Sequence, residues 1–432
     1  MYVTVRDTAT AGSGGPARTG LRRVARTVVL LGIVSLLTDV SSEMVNAVLP
    51  LYLTAELGLT LLAYGFIDGI YQGVSSLVRI AGGFAADRGR HPKWVAVLGY
   101  GVSALSRIAL IPVHGFGVIT AVITADRLGK GLRTGPRDAL IADASPPEML
   151  GRSFGVHRAL DTAGAAAGPL VAVLLLLAVP GQYKPIFVVS FAFALVGLAV
   201  LVLLVPNKRT GGATAGPRMR QLVRQLGARP LRRPMIAAAL LGVVTVGDGF
   251  LYLSLQQRDN FAAAYFPLLY VGTNIVYLAL AVPLGRLADR VGRAKVFLAG
   301  HVALLLGYLA AGGPATGLAA TLLTLALLGV FYAATDGVLA ALVSRMAPGE
   351  SRGTAISAAQ TVVAVARFVS SLAFGALWTI VGRGSALLLV AGGLVLVLPI
   401  AAWLVWPADH REPTGTALPG QRRPEPTAEV SA

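Results

Sequence analysis

The stretch LLTDVSSEMVNAVLP, Leu36 to Pro50, lies inside a long apolar run yet carries two carboxylates, Asp39 and Glu43, four residues apart. At 3.6 residues per turn, Ser35, Asp39, Ser42, Glu43 and Asn46 fall within an arc of roughly 100°, so a helix here carries one polar stripe. Leu37, Val40 and Met44 face the other way. A carboxylate at the centre of a bilayer costs on the order of 2.5 to 3.5 kcal/mol on an insertion scale. Desolvation and a like-charged neighbour both favour the protonated form of an acid. Asp39 and Glu43 are therefore candidates for a site that is alternately protonated and deprotonated, or for one that a cationic solute occupies.

The same test on other apolar segments finds further groups of this kind. Asp68, Gln72, Ser75 and Arg79 share one helical face, and Tyr100, Ser103 and Arg107 another. Asp126, Arg127 and Lys130 follow in a third segment, and His157 and Arg158 each lie one turn before Asp161 in a fourth. Later in the chain come Asp248 near Thr245, Tyr252 and Gln256, then Asn274 and Tyr277, Asp336, and Arg367 beside Gln360 and Ser371. Structural readings stand beside the functional ones. Arg79, Lys130, Arg133 and Asp336 suit snorkelling at an interface, and Arg107, Arg127, Arg158, Asp161 and Arg367 suit buried pairs that fix helix packing. His157 suits a gating proton carrier or a hydrogen-bonded packing histidine. Because the first half holds more of these groups, it is expected to carry the coupling, with Asp248 standing in the second half where Asp39 stands in the first.

The elements that must position them follow from composition. Of 432 residues, 55% are hydrophobic and only 13% charged, which fits a polytopic membrane protein and not a soluble domain. Apolar segments of about 20 residues, each able to cross roughly 30 Å of hydrocarbon as a helix, recur at 27–53, 61–85, 93–113, 115–135, 155–179, 185–206, 234–256, 264–287, 295–313, 317–341, 355–380 and 384–406. The expected fold class is an all-α membrane protein of twelve transmembrane helices in two six-helix bundles. A basic N-terminal arm (1–26), the first bundle (27–206), a basic linker (207–233), the second bundle (234–406) and a Pro-rich polar tail (407–432) make up the chain. The first span follows an Arg-rich arm and contains carboxylates, so it is not expected to be a cleaved signal. Met219 to Leu226 in the linker suits a short amphipathic surface helix or a plain basic connection.

A formal net charge of +17 raises the question of nucleic acid, but its placement answers it. Lys and Arg concentrate in alternate loops: the N-terminal arm, Arg88, Arg90 and Lys93, Arg137 and Arg152, the linker, Arg286 to Lys295, then Arg345 and Arg352. The opposite loops offer Lys184, Arg258 and Arg383. The positive-inside rule then puts both termini in the cytoplasm of a multi-pass cell-membrane protein, and a basic footprint so scattered lacks a nucleic-acid-binding face. With no cysteine, disulfides, thiolate metal sites and cysteine nucleophiles are excluded. No cofactor or metal motif is found.

The halves repeat. GGFAADRGRHPK, Gly82 to Lys93, and GRLADRVGRAK, Gly285 to Lys295, both read G-x-x-A-D-R with Gly and Arg close behind and a Lys six residues past the Asp. Repeats about 200 residues apart, starting on the same side, predict two parallel bundles with a pathway between them. On these residues the chain resembles the major facilitator superfamily over essentially all of 27 to 406. Gly83 to Arg90, with Asp87 and Arg88, looks like that family's loop signature, one residue short. Gly285 to Lys295, with Asp289, Arg290 and Arg293, is nearer the usual form. The resemblance implies that Asp87 and Asp289 latch one conformation by pairing with a helix terminus and with Arg. Arg127-Leu-Gly-Lys130-Gly131 is similar to a signature tied to proton coupling, with Lys in place of Gln. Gly155, Gly164 and Gly168-Pro169 match an antiporter signature of exporters, which is also what close helix packing at glycines would select.

What these readings imply is a secondary transporter working by alternating access, proton-coupled and exporting a small molecule or drug, as a monomer in the lipid bilayer. Proton-linked metabolite uptake and divalent-metal export are the alternatives within that class. A non-transporting receptor or membrane enzyme is the alternative outside it. GRSFG, Gly151 to Gly155, matches a nucleophile elbow with His157 and Asp161 following Ser153, but that elbow needs a strand-to-helix turn, so no enzyme is expected. No G-x-x-x-x-G-K-[ST] loop for direct ATP drive is present.

Overall fold

The computed structural model describes residues 24–88, 92–207, 229–346 and 352–409. Within them the chain is helical, with no strand. The first half holds α1 (Arg26–Asn46), α2 (Leu61–Arg88), α3 (Pro92–Ala109), α4 (Phe116–Asp143), α5 (Leu150–Ala178) and α6 (Lys184–Leu204). The second holds α7 (Arg229–Val243), α8 (Asp248–Asp259), α9 (Pro267–Val291), α10 (Arg293–Gly312), α11 (Leu318–Thr335), α12 (Val338–Met346), α13 (Arg352–Val381) and α14 (Arg383–Asp409). Among the described residues, nine helical segments are long and apolar enough to cross a membrane, against the twelve expected. The helices outside those nine are α2, α3 and α4. α3 and α4 carry Arg107 and the series Asp126, Arg127, Lys130 and Arg133, which lowers their apolar content without opening them to the outside, since Arg107, Asp126, Arg127 and Arg133 are buried; in α2, where Asp68 is buried, most side chains from residue 75 on lie outside the described residues.

Helix packing carries the repeat seen in the sequence. In the first half α1 packs on α5 and α6, α4 on α2 and α3, and α3 on α6. In the second half α7 packs on α13 and α14, α11 on α9 and α10, and α10 on α14. The two halves thus use the same pairings in the same order. They meet along α2 with α13 and α5 with α9, a pair of contacts related by the same pseudo-symmetry. Leucines and other apolar side chains such as Leu98, Leu105, Leu203, Ile380 and Trp403 stay exposed on the outside, as a surface that meets lipid requires.

The α2–α13 contact is tight at one end and loosens toward the other. A Cβ at Gly69 would stand 2.7 Å from Phe368 Cδ2, whereas one at Gly73, a turn further on, would be 3.6 Å from the Ala364 carbonyl oxygen. Gly65 and Gly375 close the tight end, each set directly against the backbone of the opposite helix. Above that seam the halves part and enclose a cavity.

Three helices are interrupted close to this space. α1 gives way at Ala47 and Val48 to a short turn (Leu49–Leu51) and a π-helical turn (Tyr52–Glu56). The chain unwinds between α7 and α8 at 244–247, and between α11 and α12 at Asp336 and Gly337, where Gly337 has φ +80°. A side chain there would be strained. Freed backbone groups need partners when buried. Val246 N–H donates to Tyr308 Oη at 2.7 Å, and Ser370 Oγ donates to the Thr245 carbonyl at 2.9 Å. Irregular backbone at membrane depth is tolerated where it is so satisfied or lines a cavity.

Candidate functional site

Two charged regions emerge, and they differ in how completely the charges are paired. The first lies where α1, α3, α4 and α5 meet. Arg107 Nη2 of α3 stands 2.8 Å from Asp126 Oδ1 of α4 and donates to Ser42 Oγ of α1 at 3.0 Å. Arg127 grips the other oxygen of Asp126 and stacks over the Tyr71 ring at 3.7 Å. Further along α4, Arg133 stands 3.8 Å from Asp39 Oδ1 and 4.4 Å above the Tyr100 ring. Lys130 reaches Glu43 at 3.9 Å, and Asn46 Nδ2 donates to the same carboxylate at 3.0 Å. Arg137 spans Asp138 at 3.0 Å and Asp161 of α5 at 3.8 Å. Asp39 of α1 and Asp161 of α5 stand on packed helices, the one facing Arg133 and the other facing Arg137 of α4.

The second region is the cavity between the halves. Two connected lobes, of about 350 and 310 Å³, share Gln72, Tyr332, Asp336 and Arg367 as walls. The polar lobe adds Asp68 and Tyr71 from α2, Asp248 at the start of α8, and Tyr270, Asn274 and Tyr277 from α9. Asp68 accepts a hydrogen bond from Ser371 Oγ of α13 at 2.6 Å, so this acid bridges the halves. Asp248 accepts from Tyr332 Oη, and Asp336 accepts from Tyr277 Oη at 3.2 Å. Arg367 has the Tyr332 ring 6.0 Å away, and its Nε is buried without a hydrogen-bond partner. A concave space of this size with a few convergent polar groups has the form of a small-molecule site.

A sequence profile described as Major Facilitator Superfamily matches residues 31–273 and 260–430. An uncharacterized MFS-type transporter of Methanocaldococcus jannaschii is 30% identical over 397 residues, covering 87% of this chain and 96% of that protein. This chain belongs to the major facilitator superfamily. An uncharacterized protein of Mycobacterium tuberculosis is 29% identical over 78% of each chain. Among solved structures, the nucleoside transporter NupG is similar at a TM-score of 0.75 and 14% identity, over 88% of this chain and 99% of the other. A POT family transporter in complex with 5-aminolevulinic acid is similar at 0.75 and 15%, over 91% and 98%. At such identities these structures speak to the superfamily fold.

Against that fold the residues singled out from sequence separate into groups. Asp39, Glu43, Arg107, Asp126, Arg127 and Asp161 converge in the first region, whereas Asp68, Asp248 and Arg367 converge in the cavity. Arg158 pairs with Asp161 at 3.3 Å, but its side chain is 73% exposed, so it belongs to the rim and not to the buried network. Arg133, for which snorkelling at an interface is one of the readings, is buried against Asp39. Arg137, read as a loop charge, is one of the bases that hold the network together. A signal for both was present: Arg127, Lys130, Arg133 and Arg137 recur every three or four residues and so share one face of α4. The aromatic lining of the cavity carried no comparable signal, because Tyr71, Tyr270 and Tyr332 come from three separate helices.

The superfamily's loop signature is visible in its second copy. Arg293 holds Asp289 at 2.7 Å and donates to the Ala341 carbonyl at 3.1 Å, tying α9, α10 and α12 together. Arg290 lies in the last turn of α9 beside it, and Gly285 has open space around it. In the first copy Arg90 lies outside the described residues, as do the surroundings of Gly83 and the side chains of Arg79, Asp87 and Arg88. The N-terminal arm to residue 23, linker residues 208–228 and the tail from 410 also lie outside them. Lys93, which follows the first copy, donates to the Val202 and Val205 carbonyls at 2.8 and 2.6 Å, closing the C-terminus of α6. In α5, Gly164 and Gly168 let α1 lie directly against the helix, and a Cβ at Gly168 would stand 2.8 Å from Val40 O. Pro169 is buried next to it, whereas Gly155 has nothing within 4 Å. Ser153, His157 and Asp161 lie along α5, and His157 Nε2 bonds to Ser35 Oγ of α1 at 2.8 Å. That pairing commits the histidine to Ser35 and not to Ser153.

Proposed function

We propose that this chain is an alternating-access transporter that moves a polar small molecule through the central cavity in exchange for protons, in the direction of export, from a cell membrane with both termini in the cytoplasm. The observation that carries the coupling is the placement of Asp39 and Asp161 on the packed helices α1 and α5, set against Arg133 and Arg137 of α4. Like charges brought together on neighbouring helices resist joint ionisation, which suits such a pair of acids to take up and release a proton. Arg133 and Arg137 already stand 3.8 Å from the acids, and a proton arriving on either acid would weaken that pairing and alter how tightly α1, α4 and α5 pack. A proton shifts a conformational equilibrium only through a different affinity for the two states, and α1 and α5 are placed to feel that difference, since α5 also packs on α9 across the halves.

Export is supported by the antiporter-like residues of α5, of which Gly164 and Gly168 sit at the α1–α5 contact. The polar lining of one lobe, with Asp68, Gln72, Asp248, Asn274 and Arg367, favours a hydrogen-bonding solute over a wholly apolar drug, in keeping with the nucleoside and peptide transporters that share the fold. No catalytic step is assigned.

The test is transport in proteoliposomes with a pH-sensitive dye inside, comparing wild type and Asp39→Asn. Solute flux driven by an imposed pH gradient should vanish in Asp39→Asn, while exchange of labelled for unlabelled solute persists. Gradient-driven flux that survives the substitution would sink the assignment of Asp39. Greater solute retention in cells expressing the wild type than in empty cells would reverse the direction.

A further inference from the structure

Among the described residues, most arginines turned into the helical packing come with an acid, and buried Lys93 is held by two carbonyls instead. Arg107, Arg127, Arg133, Arg137 and Arg258 each have a carboxylate oxygen within 3.8 Å. Arg367 does not. No acid among the described residues lies within ion-pair distance of it, and its Nε makes no hydrogen bond. Across the same cavity stand Asp68 and Asp248, each receiving one hydroxyl, from Ser371 and Tyr332, and neither paired with a base among the described residues. A carboxylate has about four acceptor sites, so most of their capacity is unused. With Asp336, which accepts from Tyr277 Oη, the fold therefore holds one cation and three anions in one space and keeps them beyond ion-pair distance. An uncompensated charge out of water is costly, and an unpartnered buried polar group calls for a missing partner.

We propose that the cavity recognises a zwitterionic small molecule, with its anionic group on Arg367 and its cationic group against Asp68 and Asp248; the proposal rests on the transporter reading and names its substrate class. Such a solute satisfies both signs at once. An anion alone would meet Asp68, Asp248 and Asp336 as well as Arg367. A cation alone leaves Arg367 unmet, and a neutral solute leaves every charge as it was. Tyr71 and Tyr270 offer ring faces for a flat body, and the Tyr71 hydroxyl is buried without a partner. At about 350 and 310 Å³ for the two lobes, the space suits a metabolite-sized molecule.

The experiment is thermal stabilisation of the full chain in lipid nanodiscs by matched compounds: free amino acids and dipeptides, their C-terminal amides, their N-acetyl forms, and neutral nucleosides. The expected result is that free zwitterions stabilise the wild type most. Arg367→Gln should bind the best zwitterion roughly 30-fold or more weakly and bind its amide as the wild type does. Asp248→Asn should reverse the pattern, losing the amide and keeping the N-acetyl form. If Arg367→Gln does not fold, Arg367→Lys serves instead, with weakened but preserved preference for the free carboxylate. Best binding by nucleosides or N-acetyl forms, or no stabilisation by any zwitterion, overturns the proposal. Because binding is read without a pH gradient, zwitterion binding in a protein whose transport ignores protons would refute the coupling alone, and proton-driven flux of a neutral solute would refute this inference alone.

Discussion

The two halves share one set of helix pairings but treat charge in opposite ways. The first half concentrates charge and neutralises it: Asp126 lies between Arg107 and Arg127, Asp39 faces Arg133, and Asp161 faces Arg137. The second half is drier, yet it leaves Arg367 unpaired on the wall of the cavity, across from acids held by hydroxyls. The contrast separates two uses of an intramembrane charge. A charge whose partner is built in holds helices in register and responds when a proton changes that partner. A charge without one waits for a partner from outside.

Breaking the best-paired site should have the largest effect on folding. Asp126→Ala strands two guanidiniums that are almost fully buried, and such a loss costs about 3–5 kcal/mol. Thermal unfolding in detergent, followed by tryptophan fluorescence, measures it; a melting curve like that of wild type would mean that water or lipid headgroups already neutralise the network. Gly168→Ala comes next, because its new methyl meets the α1 backbone and overpacking of this kind costs about 1–3 kcal/mol. Arg367→Gln should change stability by less than about 1 kcal/mol, since it removes a charge with no partner. A loss as large as that of Asp126→Ala would erase the distinction between the halves. Smallest is Gly155→Ala, a helical glycine with free space around it, expected to be neutral or to stabilise by about 0.5 kcal/mol. Destabilisation there would show that the glycine of the antiporter-like pattern serves something other than packing in this conformation.

Much of the fold was legible because lipid imposes a simple rule on sequence. Segments that cross it must be helical and apolar, and the loop repeat at Gly82 to Lys93 and Gly285 to Lys295 marks two equivalent bundles. The hydrophobic signal weakens where function enters: α3 and α4 fall outside the nine apolar spans because they carry Arg107, Asp126, Arg127, Lys130 and Arg133. The site was legible by type more than by partnership. Asp39 with Glu43, and Asp68 with Gln72, share helical faces that 3.6-residue periodicity reveals. That Arg137 reaches Asp161, and that Arg133 is buried against Asp39 instead of snorkelling, depends on which helices lie side by side.

From the sequence alone came the solvent the chain lives in, its helical class, its internal duplication and the short roster of ionisable residues too costly to be idle. Those follow from local periodicity and from the free energy of placing each side chain in hydrocarbon, properties that each residue carries wherever it goes. Tertiary structure decided which charges are answered and which are left open. Pairing is a matter of a few ångströms between residues far apart in the chain, such as Asp68 and Ser371, and no spacing along a single helix encodes it.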